Sequence, residues 1–313
     1  MNEPVDSWVN YSEMDQSKFT GSLTLFSMAS SFISHPLNLI TTRQQSGRDK
    51  SSGHILQDIK KTAQTVGFRG LFRGWTPIAL MGLPTNVIYL VITESSRESL
   101  QNKIKAFYPT ISPLYLDSMQ SFVSSIVANA VSLLPYVPAD VISCRLITEP
   151  GKESIGAIRM TKTILAESGI KGLYKGFQVS LIFNSIFSFN WWLAYSQTRR
   201  FCVGYKSLVD QPLAVDIISG VSAGIAATSF LHPLDTIKTR IMTSQGNHTH
   251  AGSILHTFRS VVQNDGYLAL YRGLPASMYQ SILSSAGFAL VYEIIKRFAL
   301  KAIDTDEASD RQG

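Results

Sequence analysis

Three prolines, Pro36, Pro138 and Pro233, are each followed by the same arrangement of groups able to pair. The second residue after each is Asn38, Asp140 or Asp235, and the fifth is Thr41, Ser143 or Lys238. Side chains three apart on a helix are neighbours, so an acid and a base at this spacing share one face. A proline inside a helix removes a backbone hydrogen bond and bends the chain. Acid and base beside a bend suit reversible pairing between helices more than bond-breaking chemistry. No Ser-His-Asp set, paired-cysteine metal spacing or phosphate loop is identifiable, and Cys144 and Cys202 are the only cysteines. The chain therefore reads as a non-enzyme that needs no metal or cofactor, and not as a disulfide scaffold. His35 and His232 each precede a kink proline, which points to packing or gating ahead of metal binding.

Such bends need long helices around them, and the distribution of charge supplies these. The 313 residues carry 28 Lys+Arg against 22 Asp+Glu, a net charge of +6, and only 16 % of them are charged. Soluble domains usually carry about 25 %. The apolar content excludes a disordered chain, and the modest charge argues against a nucleic-acid partner. Charges vanish in six windows: Lys18 to Arg43, Arg73 to Glu94, Asp117 to Asp140, Lys175 to Arg199, Asp216 to Asp235 and Arg272 to Glu293. Each holds 18 to 24 uncharged residues, near the ~20 that a membrane helix needs. Six spans put both termini on one side. The first window holds Ser22, Ser27, Ser30, Ser31 and Ser34, and the third Ser121, Ser124, Ser125, Asn129 and Ser132. Polar groups at that depth face protein or water, so the expected all-α bundle surrounds a solvated cavity.

The windows also repeat. The three prolines lie 102 and 95 residues apart, and Gly74, Gly176 and Gly273, which open windows two, four and six, lie 102 and 97 apart. A recurring period of this kind marks a repeat architecture. Each unit reads as helix, polar stretch, helix. Arg43, Arg145 and Arg240 stand at one position of the register, and Gly67-x4-Phe-Arg-Gly74, Gly169-x4-Tyr-Lys-Gly176 and Gly266-x4-Tyr-Arg-Gly273 at another. The second helices end in Glu94-x-x-Arg97, Tyr195-Ser196-x-x-Arg199 and Tyr292-Glu293-x-x-Lys296. The expected organisation is a polar segment 1–17, repeats 18–107, 108–208 and 209–303, and a disordered tail 304–313. The segment 1–17 is acidic and has no basic residue, the reverse of a transit peptide.

In these strings the sequence resembles the mitochondrial carrier family, fully in unit three and partly in units one and two. The resemblance implies six tilted helices in threefold pseudosymmetry, three short matrix helices, and a monomer in the mitochondrial inner membrane with both termini on the intermembrane-space side. Pro36, Pro138 and Pro233 would bring the odd helices together at a matrix gate. There Asp140 would pair with Lys238, Asn38 would face Ser143, Asp235 would face Thr41, and Gln44 sits where the family places a bracing amide. A cytoplasmic gate would pair Glu94 with Arg199 and Glu293 with Arg97, with Ser196 facing Lys296. The helix starts at Arg73-Gly74, Lys175-Gly176 and Arg272-Gly273 would hold cardiolipin phosphates, as helix amino termini bind anions.

By the same resemblance, substrate contacts fall on Met81, Thr85, Tyr89, Phe183, Asn184, Phe187, Ser188 and Ser281. None is charged, which argues against a strongly anionic cargo, because a dry anion needs a matched cation. The lining suits a small neutral or zwitterionic molecule such as an apolar amino acid. The alternatives are another cofactor, a cationic amino acid, or an adaptor that no longer transports. Trp191–Trp192, the Val137-Pro-x-Asp-Val-Ile-Ser143 form and the missing acid of unit one are similar to the branched-chain amino acid carriers.

Overall fold

The computed structural model describes residues 16–49, 54–107, 113–149, 155–205, 211–244, 253–285 and 287. Among them there are helices and no strand. Five long helices are α1 (Gln16–Gln45), α3 (Trp75–Phe107), α4 (Pro113–Thr148), α6 (Phe177–Val203) and α7 (Pro212–Thr243), and a sixth, α9, is described over 274–285. A shorter helix sits between the members of each pair: α2 (Ile55–Gly70), α5 (Ala157–Leu173) and α8 (Ile254–Asp265). The architecture is all-α, with the six-helix, three-unit order expected. Pro36, Pro138 and Pro233 lie inside α1, α4 and α7.

The packed core collects at the proline end. Met160 and Ile164, one turn apart on α5, bury against Leu133, Val137 and Val141 of α4 and Met242 of α7. Val261 of α8 and Ala269 and Leu270 after it pack on Ile237 and Ile241 of α7 and Val179 of α6. Leu39 and Ile40 of α1 meet Ile147 of α4 and Ala276, with Ile55 and Ile59 of α2 alongside. Each fully buried side chain of this size contributes about 1.5–3 kcal/mol, so the short helices are stapled to the bent ends of the odd helices. Gly74 abuts Ser143 of α4, Gly176 abuts Met242 of α7, and Gly273 abuts Thr41 of α1. The start of each even helix thus meets the odd helix of the next unit, and the third contact closes the ring.

Away from that end large apolar side chains point outward, among them Leu80, Val91, Ile182, Phe189 and Phe230. A broad exposed apolar belt is what a lipid-facing surface requires. Among the described residues, Gly67–Thr93, Val123–Thr148 and Leu213–Thr243 are long and apolar enough to cross a membrane, and they hold windows two and five and most of window three. Window four lies on α6, where Ser180, Asn184, Ser185, Ser188 and Asn190 lower the apolarity. Window six runs beyond the described residues. In window five, Gly220 and Gly224 let α7 approach Ser285 and Ser281, as small residues do between membrane helices.

Candidate functional site

The ring encloses a cavity of about 1000 Å³, enough for a small metabolite. Its wall combines Ser30, Ser31 and Ser34 of α1, Tyr136 and Asp140 of α4, Phe183, Phe187 and Trp191 of α6, Asp216, Asp235 and Lys238 of α7, and Ser277, Ser281 and Ser285 of α9. At one end it stops on the buried Gln45, Ser143 and Thr239. Toward the other end its lining includes the exposed Trp192 and the half-buried Asp216.

The floor is held by two cross-helix contacts. Lys238 Nζ stands 2.9 Å from Asp140 Oδ2, joining α7 to α4, and its ammonium lies 5.7 Å from the centre of the Phe183 ring. Gln45 Nε2 donates to Asp235 Oδ2 at 2.7 Å, and Gln45 Oε1 accepts from Thr239 Oγ1 at 2.7 Å. Its backbone oxygen also accepts from Arg240 Nε at 2.6 Å. These bonds tie α1 to α7.

Three expected contacts differ. The amide reaching across is Gln45, while Gln44 donates to Asp58 of α2 at 2.8 Å. Adjacent helical residues point about 100° apart, and here Gln45 faces the cavity while Gln44 faces α2. The Asn38–Ser143 and Asp235–Thr41 contacts do not form: the Thr41 and Ser143 hydroxyls have no hydrogen-bond partner, and Gln45 already occupies Asp235. Asn38, Thr41 and Ser143 still line the cavity. Replacing Gln45 with alanine strands Asp235 and Thr239 together and is expected to cost about 1–3 kcal/mol. Thermal unfolding of the detergent-purified protein checks this, and a Gln45→Ala protein as stable as its parent would contradict it.

Below the floor the three register arginines find acids that the repeat did not single out. Arg145 reaches Glu167 at 2.6 Å and Glu149 at 3.3 Å, Arg240 reaches Asp265 at 2.8 Å, and Arg43 reaches Asp49 at 2.7 Å. Glu167 lies two residues before the kink at Gly169 in α5, and Asp265 is the last residue of α8, one before Gly266. His35 Nε2 donates to the Arg73 carbonyl at 2.9 Å and His232 Nε2 to the Arg272 carbonyl at 3.0 Å. Each imidazole pins a proline bend to the turn that starts the next even helix, a packing role. No metal-holding cluster of His, Cys, Asp or Glu occurs among the described residues.

Of the eight expected cargo contacts, Tyr89, Phe183, Phe187, Ser188 and Ser281 line the cavity, and Met81, Thr85 and Asn184 do not. Thr85 Oγ1 donates to the Met81 carbonyl at 2.6 Å, and Asn184 Nδ2 to the Ser180 carbonyl at 2.8 Å. Both side chains are folded back onto their own helix. The odd helices contribute much of the polar lining, which the register of the even helices did not include.

Toward the exposed end, Tyr195 Oη donates to Asp216 Oδ1 at 2.9 Å, and Arg199 Nε lies 3.5 Å from the same oxygen. Trp191 stacks on Tyr195 with ring centres 5.1 Å apart. Ser196 Oγ donates to the Leu193 carbonyl at 2.9 Å. Of the other groups expected here, the side chains of Glu94 and Arg97, and Tyr292, Glu293 and Lys296 entirely, lie outside the described residues. Asp216 carried no motif signal beyond opening a charge-free window.

At the glycine-headed helix starts, a shallow cavity of about 400 Å³ is lined by Lys175, Gly176, Phe177 and Gln178. Lys175 Nζ donates to the Ser244 carbonyl at 3.2 Å, and burial together with the Arg145 charge holds its pKa below the usual lysine value. Arg272 Nη1 lies 3.9 Å from Asp265.

A family model described as mitochondrial carrier protein matches residues 19–104, 115–206 and 209–302. The chain is similar to the mitochondrial arginine transporter BAC2 of Arabidopsis thaliana, 26 % identical over 265 residues, covering 84 % of this chain and 85 % of that one. It is 25 % identical over 252 residues to the mitochondrial ornithine transporter 1 of Mus musculus, covering 78 % and 82 %. To the mouse electrogenic aspartate/glutamate antiporter SLC25A13 it is 24 % identical over 272 residues, covering 84 % of this chain and 38 % of the relative. All three relatives carry transporter names, and their named cargoes are amino acids.

Proposed function

Because the chain belongs to the mitochondrial carrier family, we propose that it transports an amino acid with a cationic side chain across the mitochondrial inner membrane by alternating access. Carriage of a small metabolite is the activity of the family; the cargo is the further step. One observation carries it: among the described residues the cavity wall holds three carboxylates, Asp140, Asp216 and Asp235, against the Lys238 ammonium, with Arg199 3.5 Å from Asp216, so that the acids outnumber the cations. A cation entering this lining meets an excess of negative charge, and a hydrogen bond to a charged group contributes about 1.5–3 kcal/mol. The rings of Phe183, Phe187 and Trp191 offer faces that attract an ammonium or guanidinium. The arginine and ornithine transporters among the relatives support the same class. The neutral, apolar cargo expected from the even helices alone gives way, because all three aspartates stand on α4 and α7.

In this reading the Asp140–Lys238 and Gln45–Asp235 contacts close the matrix side, and Arg199 and its neighbours belong to the opposite gate. Cargo shifts the balance through contacts that differ between the two states. Both termini then lie on the intermembrane-space side, the chain works as a monomer, and anionic lipid such as cardiolipin sits at the glycine-headed helix starts, where the Lys175–Gln178 cavity offers a groove. Uptake into liposomes holding the purified chain, with labelled arginine, ornithine, leucine and ATP in parallel, tests the cargo. Saturable arginine or ornithine uptake at least about tenfold above leucine, a difference of ~1.4 kcal/mol, is the expected result. Preference for leucine would restore the neutral cargo, and preference for ATP would overturn the charge argument.

A further inference from the structure

We infer that Asp216 is a specificity-determining residue at the cavity mouth, where it takes the cationic group of an incoming cargo. The assignment rests on the cationic cargo proposed above. Asp216 Oδ1 is fixed by the Tyr195 hydroxyl at 2.9 Å, while Arg199 Nε stays 3.5 Å away. The latter is longer than the 2.7–2.9 Å of a charge-assisted bond, so the guanidinium steadies the carboxylate without saturating it. A carboxylate has about four acceptor sites, and the Tyr195 and Arg199 contacts fall on Oδ1 alone. The group is therefore oriented through one oxygen, on a residue that lines the cavity. Trp191, stacked on Tyr195, lines the same cavity, which places an aromatic surface near the acid. Asp235 follows 19 residues later on the same helix, roughly 28 Å at 1.5 Å per residue. One helix thus presents a carboxylate at the mouth and another at the floor. A negative group at a mouth raises the local concentration of cations, and salt weakens the effect.

Asparagine at this position can still accept from Tyr195 but carries no charge, which separates binding from a purely structural link between α6 and α7. In proteoliposomes of the full chain, Asp216→Asn is expected to raise the KM for arginine about tenfold, equal to ~1.4 kcal/mol, with the maximal rate within about twofold. The KM for citrulline, the uncharged counterpart of arginine, should not move. The difference between low and high salt in arginine KM should shrink, and Asp216→Glu should return the KM most of the way. Should Asp216→Asn fail to reconstitute, Tyr195→Phe removes the hydroxyl that orients Oδ1 and keeps the charge. It is expected to raise arginine KM about two- to fivefold, or ~0.4–1 kcal/mol, with citrulline unaffected. An unchanged arginine KM in the variant tested, or equal changes for arginine and citrulline, would overturn the role of Asp216. A parent protein that does not prefer arginine to citrulline would overturn the cargo reading itself.

Discussion

Lys238→Gln is expected to be the most damaging single replacement in the cavity, and adding Asp140→Asn is expected to recover most of the loss. Among the described residues Lys238 is the one lysine or arginine on a wall that also holds Asp140, Asp216 and Asp235. Its ammonium sits 2.9 Å from Asp140, whose side chain is only 11 % exposed. Removing one partner of a buried pair leaves the other charge desolvated and unmatched, at a cost of about 3–5 kcal/mol. Replacing both by neutral groups of similar shape removes the stranded charge as well, and such exchanges are often close to neutral for stability. The single variant should therefore unfold at a much lower temperature than its parent in detergent, and the double variant near it. Transport separates the two in another way. A floor held only by neutral groups opens more readily, so the double variant should be folded yet altered in its rate. Single and double variants of equal stability would show that Asp140 does not depend on Lys238.

The parts of this molecule that were legible beforehand are those set by local chemistry. Charge-free windows of 18 to 24 residues mark helices long enough to span a bilayer, and Pro36, Pro138 and Pro233 mark their bends. Acid and base sit at fixed offsets from those prolines, and the family resemblance implies which helix faces which, so that the Asp140–Lys238 contact was expected. Gln45 did not follow, because choosing it over Gln44 depends on helix phase, which a one-residue step turns by about 100°. Asn184 and Thr85 were misplaced for a different reason. Each satisfies its polar atoms on a carbonyl of its own helix, a rotamer choice that spacing does not encode. Asp216 was hidden because its partners, Tyr195 and Arg199, lie 21 and 17 residues earlier on another helix. Only the packing of α6 on α7 brings them together. The sign of the cavity's charge, and with it the class of cargo, rests on such tertiary placements.

Gly74→Ala carries the second large effect, and Gly67→Ala is its control. Both glycines have positive φ, +83° and +74°, where a side chain costs about 1–3 kcal/mol. Their surroundings differ. A Cβ on Gly67 would meet nothing within 4 Å, whereas on Gly74 it would stand 2.8 Å from Ser143 Oγ and 3.0 Å from the Ser143 carbonyl oxygen. The hydroxyl can rotate away, but the carbonyl belongs to the backbone of α4 and cannot. Overpacking of this kind adds about 1–3 kcal/mol. Gly67→Ala should therefore lower stability by about 1–3 kcal/mol and Gly74→Ala by about 2–6 kcal/mol. Adding Ser143→Ala to the latter should return only part of the difference, since the backbone contact persists. The strained contact lies where the start of α3 meets α4 beside the cavity floor, so Gly74→Ala should slow transport while Gly67→Ala leaves it near the parent rate. Thermal unfolding and liposome uptake on the three variants check both statements. Equal losses at the two glycines would mean that strain alone decides, and that the close approach of α3 to α4 is not needed to close the ring.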